Sequence, residues 1–473
     1  MITKKNTWIT LFIGCFLLIS CTPLKESPPN IIFFLVDDLG WMDVSFRDST
    51  FYETPNIDDL SNRSMNFSQA YASHPRCEPS RYSIITGMHP ARAKLPGKAK
   101  GLTYKDSFLT SFFKASGYRT FFVGKWHLSM NGVYPEHAGF EVNIAGGDAG
   151  APKSYFYPYN FVKSGRGKNK PPFIDNIPKT NNGKYLTDQL TEISVEMIKK
   201  SSDEPFFLLM SHYGVHTPLE SKPTYLNEFD QKKDHNQVND TINDIKVSTW
   251  SGEEKLIRNN SSYAGMIKSI DQSLGKIIEA LKSTNQFDNT IIVFTSDHGG
   301  LSNRGNKRPL ATSNYPLRAG KGHLYEGGIR IPHFVFWKDE INHGWTDHQI
   351  IGMDHLLSLI KLVDLVPYND LPPIDGESYA NILLGKDLGN SDRSLYWHSP
   401  IPRPKSTGDR ASSAIRKGNY KLIHFYEDDR LELYDISKDM EEKYNLVDIE
   451  PNLASEMEDS LQNWKESVQA YHR

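Results

Sequence analysis

The chain has 473 residues, with 54 Lys and Arg set against 57 Asp and Glu, for a formal net charge of −3. Acids and bases are interspersed, so no bulk field selects a nucleic acid or another polyanion, and any anionic ligand has to be recognised locally. A length of this order predicts two or three domains with ordinary hydrophobic cores.

The amino terminus has the pattern of an export signal. MITKKNTW carries two lysines, and ITLFIGCFLLIS is an apolar run that ends at Ser20 ahead of Cys21. A positive segment, a short apolar segment and a small residue before the cut describe a secretory signal over residues 1–20. The cysteine after LIS resembles a bacterial lipobox, which implies a lipid anchor on Cys21; plain cleavage beside an incidental cysteine is the other reading. TPLKESPPN follows, within a linker over 21–29. No later apolar stretch approaches the roughly 20 residues of a membrane-spanning helix. The expectation is an exported protein, in the periplasm or at the cell surface, tethered by lipid to the outer membrane. Cys15 and Cys21 lie in this leader, so Cys77 is the one thiol in the body of the chain and no internal disulfide can form.

From residue 30 onward, short unbroken apolar runs alternate with helical patterns. The runs are NIIFFLV before Asp37-Asp38, YRTFFVG before Lys125-Trp126-His127, PFFLLMS before His212 and His216, and NTIIVFTS before Asp297-His298. Such runs predict strands buried on both faces. YLTDQLTEISVEMIKK and YAGMIKSIDQSLGKIIEALK space their apolar residues by three and four, as amphipathic helices do. The alternation predicts an α/β fold with a mostly parallel central sheet flanked by helices over 30–390. Ligands of such sheets bind beyond the carboxyl ends of the strands, where all four polar clusters fall. Segments 148–183, 219–252 and 301–320 are rich in Pro, Gly, Asn and charge and are expected to be long surface loops. From 391 to 473, SLYWHSP, SSAIRKGNYKLIHFY and LELYDIS precede a helical stretch, which predicts a small antiparallel sheet packed with a helix.

Asp37, Asp38 and Asp297 offer hard carboxylates and His298 an imidazole. Oxygen donors favour Ca²⁺ or Mg²⁺, while the histidine leaves Zn²⁺ or Mn²⁺ open. Lys125, His127, His216 and Lys321 add cations at the same rim. Several acids and bases at one strand edge suit an anionic, oxygen-rich substrate bridged to a metal, as in phosphoryl or sulfuryl transfer.

Cys77-Glu78-Pro79-Ser80-Arg81 followed by Thr86-Gly87 resembles the signature of the formylglycine-dependent sulfatases, in the alkaline-phosphatase-like superfamily. PNIIFFLVDDLG, GKWHL, HTP, SDHGG and GKGHLYEGGIRIP follow the family's order, and the tail is similar to its C-terminal subdomain. The resemblance implies that a maturation enzyme converts Cys77 to Cα-formylglycine, whose hydrate has two hydroxyls. One attacks sulfur; the other, once deprotonated, expels sulfate by C–O cleavage and restores the aldehyde. It implies further that Asp37, Asp38, Asp297 and His298, with residue 77, hold one Ca²⁺. Arg81 and Lys125 would stabilise the ionised diol and the sulfate. His127 would serve deprotonation of the second hydroxyl, and His216 and Lys321 would bind sulfate and protonate the leaving alcohol. Many members carry asparagine where this chain has His298, and some members with histidine act on sugar sulfates. The implied substrate is a sulfated poly- or oligosaccharide. A phosphate or phosphonate monoester hydrolase of the same superfamily and a non-catalytic glycan-binding lipoprotein are the alternatives.

Arg304, Lys307, Arg308 and Arg318 could contact further sulfates or carboxylates, or form a solvated basic loop. The aromatics of SYFYPYNF could stack on sugar rings or pack their loop down. His323, three residues from Glu326, is expected to make a local loop contact.

Overall fold

The computed structural model describes residues 27–471 except 48, 94–101, 104, 161–173, 202–203, 236–244, 249–251, 307, 366–370 and 387–392. The leader with Cys15 and Cys21, and Lys307, lie outside the described residues.

Eight strands form the main sheet: β1 Asn30–Val36, β2 Met65–Phe67, β3 Arg119–Gly124, β4 Val142–Ile144, β5 Phe206–Ser211, β6 Thr290–Ser296, β7 His333–Phe336 and β8 Gly344–Thr346. Their order is β8-β2-β7-β6-β1-β5-β3-β4. The central pairs β6/β1, β1/β5 and β5/β3 are parallel, as are β3/β4 and β8/β2. Only β7 runs antiparallel to its neighbours β2 and β6.

The unbroken apolar runs reflect burial on both faces. Ile32, Phe34 and Val36 of β1 face one layer with Met266, Ile270, Leu274 and Ile277 of the helix Ser261–Ser283. Ile31, Phe33 and Leu35 face the other, with Leu356, Leu357 and Ile360 of the helix His355–Leu362. Each buried aliphatic or aromatic side chain contributes about 1.5–3 kcal/mol relative to exposure, so both layers are held strongly. Among the described residues no helix is long and apolar enough to cross a membrane.

Ser394–Ser399, Ser412–Lys417, Tyr420–Phe425 and Arg430–Asp435 form an antiparallel four-stranded sheet. One face packs Leu395, Trp397, Ala414 and Ile423 against Tyr71, Tyr325 and Ile329. The other packs Ile415, Leu422 and Leu433 against Met457 and Leu461 of the helix Pro451–Ser467.

Two of the three expected surface loops differ from that expectation. Segment 219–252 contains the helix Pro223–His235, which sends Phe229 into the core. Segment 301–320 is largely buried, and Asn314 Nδ2 donates to the Gly300 and Ala319 carbonyls and to Ser302 Oγ. Polar composition there reflects backbone satisfied by side chains rather than by water. In SYFYPYNF, Tyr155 and Tyr159 are buried in the core, so they pack the loop down. His323 makes a local contact, its ring stacked on Tyr325 at 6.3 Å between centroids, and its Nε2 lies 3.0 Å from the Thr407 carbonyl.

Glu326 belongs instead to a buried ionic cluster joining the two sheets. Lys421 Nζ lies 2.9 Å from Glu326 and 2.7 Å from Glu442, and Tyr71 and Arg416 close the cluster. Burial, reinforced by Glu326, pushes the Glu442 carboxyl up to about 7 from 4.5, although Lys421 pulls the other way. A folded acid with a raised pKa binds protons more readily than the unfolded chain. Its stabilising contribution is therefore full below about 4.5 and is lost as pH rises through about 7. Melting temperatures of the native chain are expected to fall across this window relative to Glu442→Gln, which cannot ionise. Parallel pH profiles for the two proteins would show that Glu442 does not titrate there.

Candidate active site

The site sits at the carboxyl ends of β1, β3, β5 and β6, as the parallel topology requires. Asp37 and Asp38 follow β1, Lys125 and His127 follow β3, His216 follows β5, and Asp297 and His298 follow β6. Cys77 opens the helix Cys77–Thr86, with Arg81 one turn further on. Lys321 arrives from the buried segment before β7. All ten residues implicated by sequence come together.

Arg81 organises them. Its Nε lies 2.9 Å from Asp297 Oδ2, Nη2 3.3 Å from Asp37 Oδ1, and Nη1 2.7 Å from both the Lys125 carbonyl and Ser211 Oγ. One guanidinium thus joins the ends of all four central strands. Lys125 Nζ is 2.6 Å from Asp37, and Lys321 Nζ is 2.6 Å from Asp38 and 3.5 Å from Cys77 Sγ. His298 Nε2 lies 3.1 Å from Cys77 Sγ and 3.2 Å from Asp38. His298 Nδ1 is 2.9 Å from the Gly299 carbonyl, an arrangement in which the Nδ1 proton is donated there and Nε2 faces the acids.

Ligand atoms of Asp37, Cys77, Asp297 and His298 lie within 4.8 Å of one another, and so do those of Asp37, Asp38, Cys77 and His216. Three buried carboxylates, an imidazole with its free nitrogen inward and a sulfur fit a divalent cation. Burial alone would raise the Cys77 thiol, but Lys125, Lys321 and His298 outweigh it and hold the thiol well below its ordinary value. Asp37 is raised well above the usual carboxylate range, chiefly by burial. His216 Nε2 is 3.8 Å from Asp38, and burial pushes its imidazole down to about 4, so it is neutral near pH 7.

Backbone conformation aims two of these residues. Asp38 (φ 61°) and His127 (φ 60°) occupy the left-handed region, uncommon for residues with a side chain. His127 lines the same cleft as Cys77 and is backed closely by Gly150, where a Cβ would fall 2.6 Å from its Nε2. Gly124 lets β3 end against β5, since a Cβ there would fall 1.8 Å from the Ser211 carbonyl.

Sequence reading missed the roles of Ser80 and Ser211. Ser80 Oγ donates to the Asp297 carbonyl at 2.6 Å, and Ser211 Oγ joins the Arg81 contacts. Their places, within the cysteine motif and at the last residue of a buried strand, are signals that could have found them. It also missed the wall that the C-terminal subdomain adds. His398, Ile401, Arg403, Thr407 and Tyr471 line a cleft of about 290 Å³ that contains Cys77, His127, His216 and Lys321. Of the basic side chains in 301–320, Arg308 reaches this cleft, while Arg304 pairs with Glu253 and Arg318 with Tyr434 and the Glu442 carbonyl.

Arg81→Lys keeps the charge but loses the planar fork. Because it leaves buried carboxylates short of donors, it is expected to cost about 3–5 kcal/mol in a denaturant titration. A loss below about 1 kcal/mol would show that the carboxylates hold their places without Arg81.

The comparisons agree with this geometry. A family model described as Sulfatase matches residues 29–365, and one described as N-sulphoglucosamine sulphohydrolase, C-terminal, matches 319–468. A protein named Sulfatase from Formosa agariphila is 27% identical over 98% of this chain and 94% of its own. The N-acetylgalactosamine-6-O-sulfatase of Bacteroides thetaiotaomicron is 26% identical over 93% of this chain and 94% of its own. The crystal structure of Ps i-CgsB in complex with k-i-k-neocarrahexaose matches with a TM-score of 0.75, at 27% identity over 93% of each chain. The chain belongs to the sulfatase family and is a sulfuric ester hydrolase.

Proposed function

We propose that this sulfatase removes sulfate from a sulfated carbohydrate, using Cys77 converted to Cα-formylglycine and one Ca²⁺. The observation that carries the reading is the surrounding of Cys77 Sγ, which stands where the diol oxygens would sit. It lies 3.1 Å from His298 and 3.5 Å from Lys321, beside Asp37, Asp38 and Asp297. The names of the Bacteroides relative and of the oligosaccharide complex support a carbohydrate substrate. Carboxylate oxygens dominate the shell, which favours Ca²⁺ over a softer ion. When bound, the cation draws charge from the sulfate oxygens and favours the ionised diol. Asp37, Asp38, Asp297 and His298 would hold it, with Arg81 and Lys125 fixing the carboxylates. His127, which lines the same cleft as residue 77, would take the proton of the second hydroxyl. The amino-terminal pattern supports export, anchoring through Cys21 at the outer membrane, and encounter with a maturation enzyme before folding.

The direct test is sulfate release from a panel of defined sulfated oligosaccharides, with mass spectrometry of the peptide containing residue 77. Release should accompany the formylglycine mass, stop on chelation, and return better with Ca²⁺ than with Zn²⁺. Full activity from protein holding only the thiol, or faster turnover of matched phosphate esters, would overturn the reading.

His216 and Lys321 divide the remaining work. His216 begins neutral, whereas Lys321 is held protonated beside Asp38 despite its burial. A sugar alkoxide is a poor leaving group and needs a proton as the S–O bond breaks; a nitrophenolate needs far less. If His216 delivers that proton, acquired as the anionic ester binds, His216→Ala loses about 10²–10⁴-fold more on a sugar sulfate than on nitrophenyl sulfate. Equal losses would make it a sulfate ligand and give the proton to Lys321.

A further inference from the structure

The cleft beside Cys77 carries more positive charge than the reacting sulfate uses. Near the cysteine the charges are matched. Arg81, Lys125 and Lys321 each lie against Asp37, Asp38 or Asp297. Further out, Arg76 is paired with buried Asp409, and Arg304, behind the wall, with Glu253. Arg308 and Arg403 differ. Both line the cleft, and neither has a carboxylate within ion-pair distance among the described residues. Among the described residues the hydrogen-bond partner of the Arg308 guanidinium is Ser406, whose Oγ accepts from Nη1 at 3.0 Å.

Two docked loops bring these arginines to one wall. Gly305 N donates to the Ser406 carbonyl at 2.9 Å, and a Cβ at Gly305 would strike the Pro404 carbonyl. The segment before β7 is thereby held against the segment after Ser399. Arg308 is half-buried and lies close enough to Arg403 to be repelled by it. Burial lowers its guanidinium first; Asp38 and, more weakly, Asp409 pull the other way, and Arg403 lowers it again. His74 in the same cleft is held neutral, first by burial and then by Arg76, so it adds no charge. Among the described residues Glu78 is the one carboxylate lining the cleft. Arg308 is half-buried and Arg403 exposed, so an anion entering the cleft relieves the repulsion between two like charges of which one is partly desolvated.

The geometry points to a second anionic subsite: Arg308 and Arg403 receive a sulfate or carboxylate that the substrate carries apart from the ester being cleaved. This rests on the carbohydrate sulfatase reading above and narrows it to sugars bearing at least two anionic groups. Guanidinium forks suit both oxyanions, because each offers paired oxygens. The C-terminal subdomain, through Arg403, is then part of the specificity of the reaction. The two arginines bind and orient the sugar and take no part in bond cleavage.

The test compares matched sugars in two series, built on N-acetylgalactosamine 6-sulfate and on a sulfated galactose. Each series holds the monosulfate, the same sugar with a second sulfate, and the monosulfate joined to a uronic acid. Sulfate release by the native protein, Arg308→Gln and Arg403→Gln gives kcat and KM. Calorimetric titration of Cys77→Ala, alone and combined with each arginine change, reads binding without turnover. The second anion is expected to improve KM and Kd about 10-fold. Either arginine change should remove that advantage through KM rather than kcat, and raised salt should weaken it. The counterpart that shows the advantage, disulfate or uronic acid, names the source of the anion. An advantage below about twofold for both counterparts, or one that survives both arginine changes, overturns the subsite. Sulfate release without the advantage removes the subsite and leaves the sulfatase reading standing. Tight, arginine-dependent binding to Cys77→Ala with no sulfate released from any sugar does the reverse.

Discussion

The guanidinium of Arg81 is the interaction on which the site depends. It joins Asp37 after β1, the Lys125 carbonyl after β3, Ser211 at the end of β5 and Asp297 after β6. Parallel strands deliver their next residues to one rim, and the carboxylates that arrive there repel one another in a buried setting. A planar donor set of fixed geometry meets two acids, a carbonyl and a hydroxyl at once, which a flexible ammonium cannot do. Arg81 also sits one turn after Cys77 on the same helix. The contact that fixes the acids therefore fixes Cys77 as well, and displacing either disturbs both.

The rim is strained as well as charged. Asp38 and His127 each immediately follow or lie near a strand end and adopt left-handed backbone, a conformation that costs of order 1–3 kcal/mol and persists only where packing imposes it. The turn sends Asp38 toward Lys321, His298 and His216 instead of along the sheet. The same conformation at His127 sets its ring in the cleft that Cys77 lines, with its Nε2 against Gly150. Core burial on both faces of β1, β3, β5 and β6 supplies the rigidity that holds these conformations.

The sequence revealed the scaffold well because its signals are local. NIIFFLV is β1 to the residue, and the other three long runs match their strands within a residue, because strands buried on both faces must be apolar throughout. The polar residues directly after each run were readable for the same reason. The helix Cys77–Thr86 was not, since it buries Ser80, Arg81 and Ser83 along with its apolar residues and shows no clean stripe. Segment 301–320 misled in the opposite direction: its polar residues satisfy buried backbone, which composition cannot distinguish from exposure. The short strands β2 and β7 pair with each other across more than 200 residues, so no local pattern marks their antiparallel register. The cleft wall is non-local in the same sense, because Arg403 meets Arg308 only through the docking of Gly305 on the segment near Pro404.

That docking connects the cleft to the cluster between the sheets. Lys421 stands on the strand Tyr420–Phe425, while Glu326 stands in the short helix before β7 and Glu442 follows the last strand. Trp397 adds a hydrogen bond from its indole to the Ala72 carbonyl, just ahead of the cysteine helix. The C-terminal sheet is thus fixed to the main sheet by buried ions, and the loop after Ser399 is held to the segment before β7 by the Gly305–Ser406 hydrogen bond. A cleft built this way has a definite width, because one wall belongs to the main sheet's rim and the other is held to it by buried ions and apolar packing. The two sides of the cleft thus come from different parts of the chain: the strand ends hold the carboxylates around Cys77, and the segment after Ser399 supplies the facing wall.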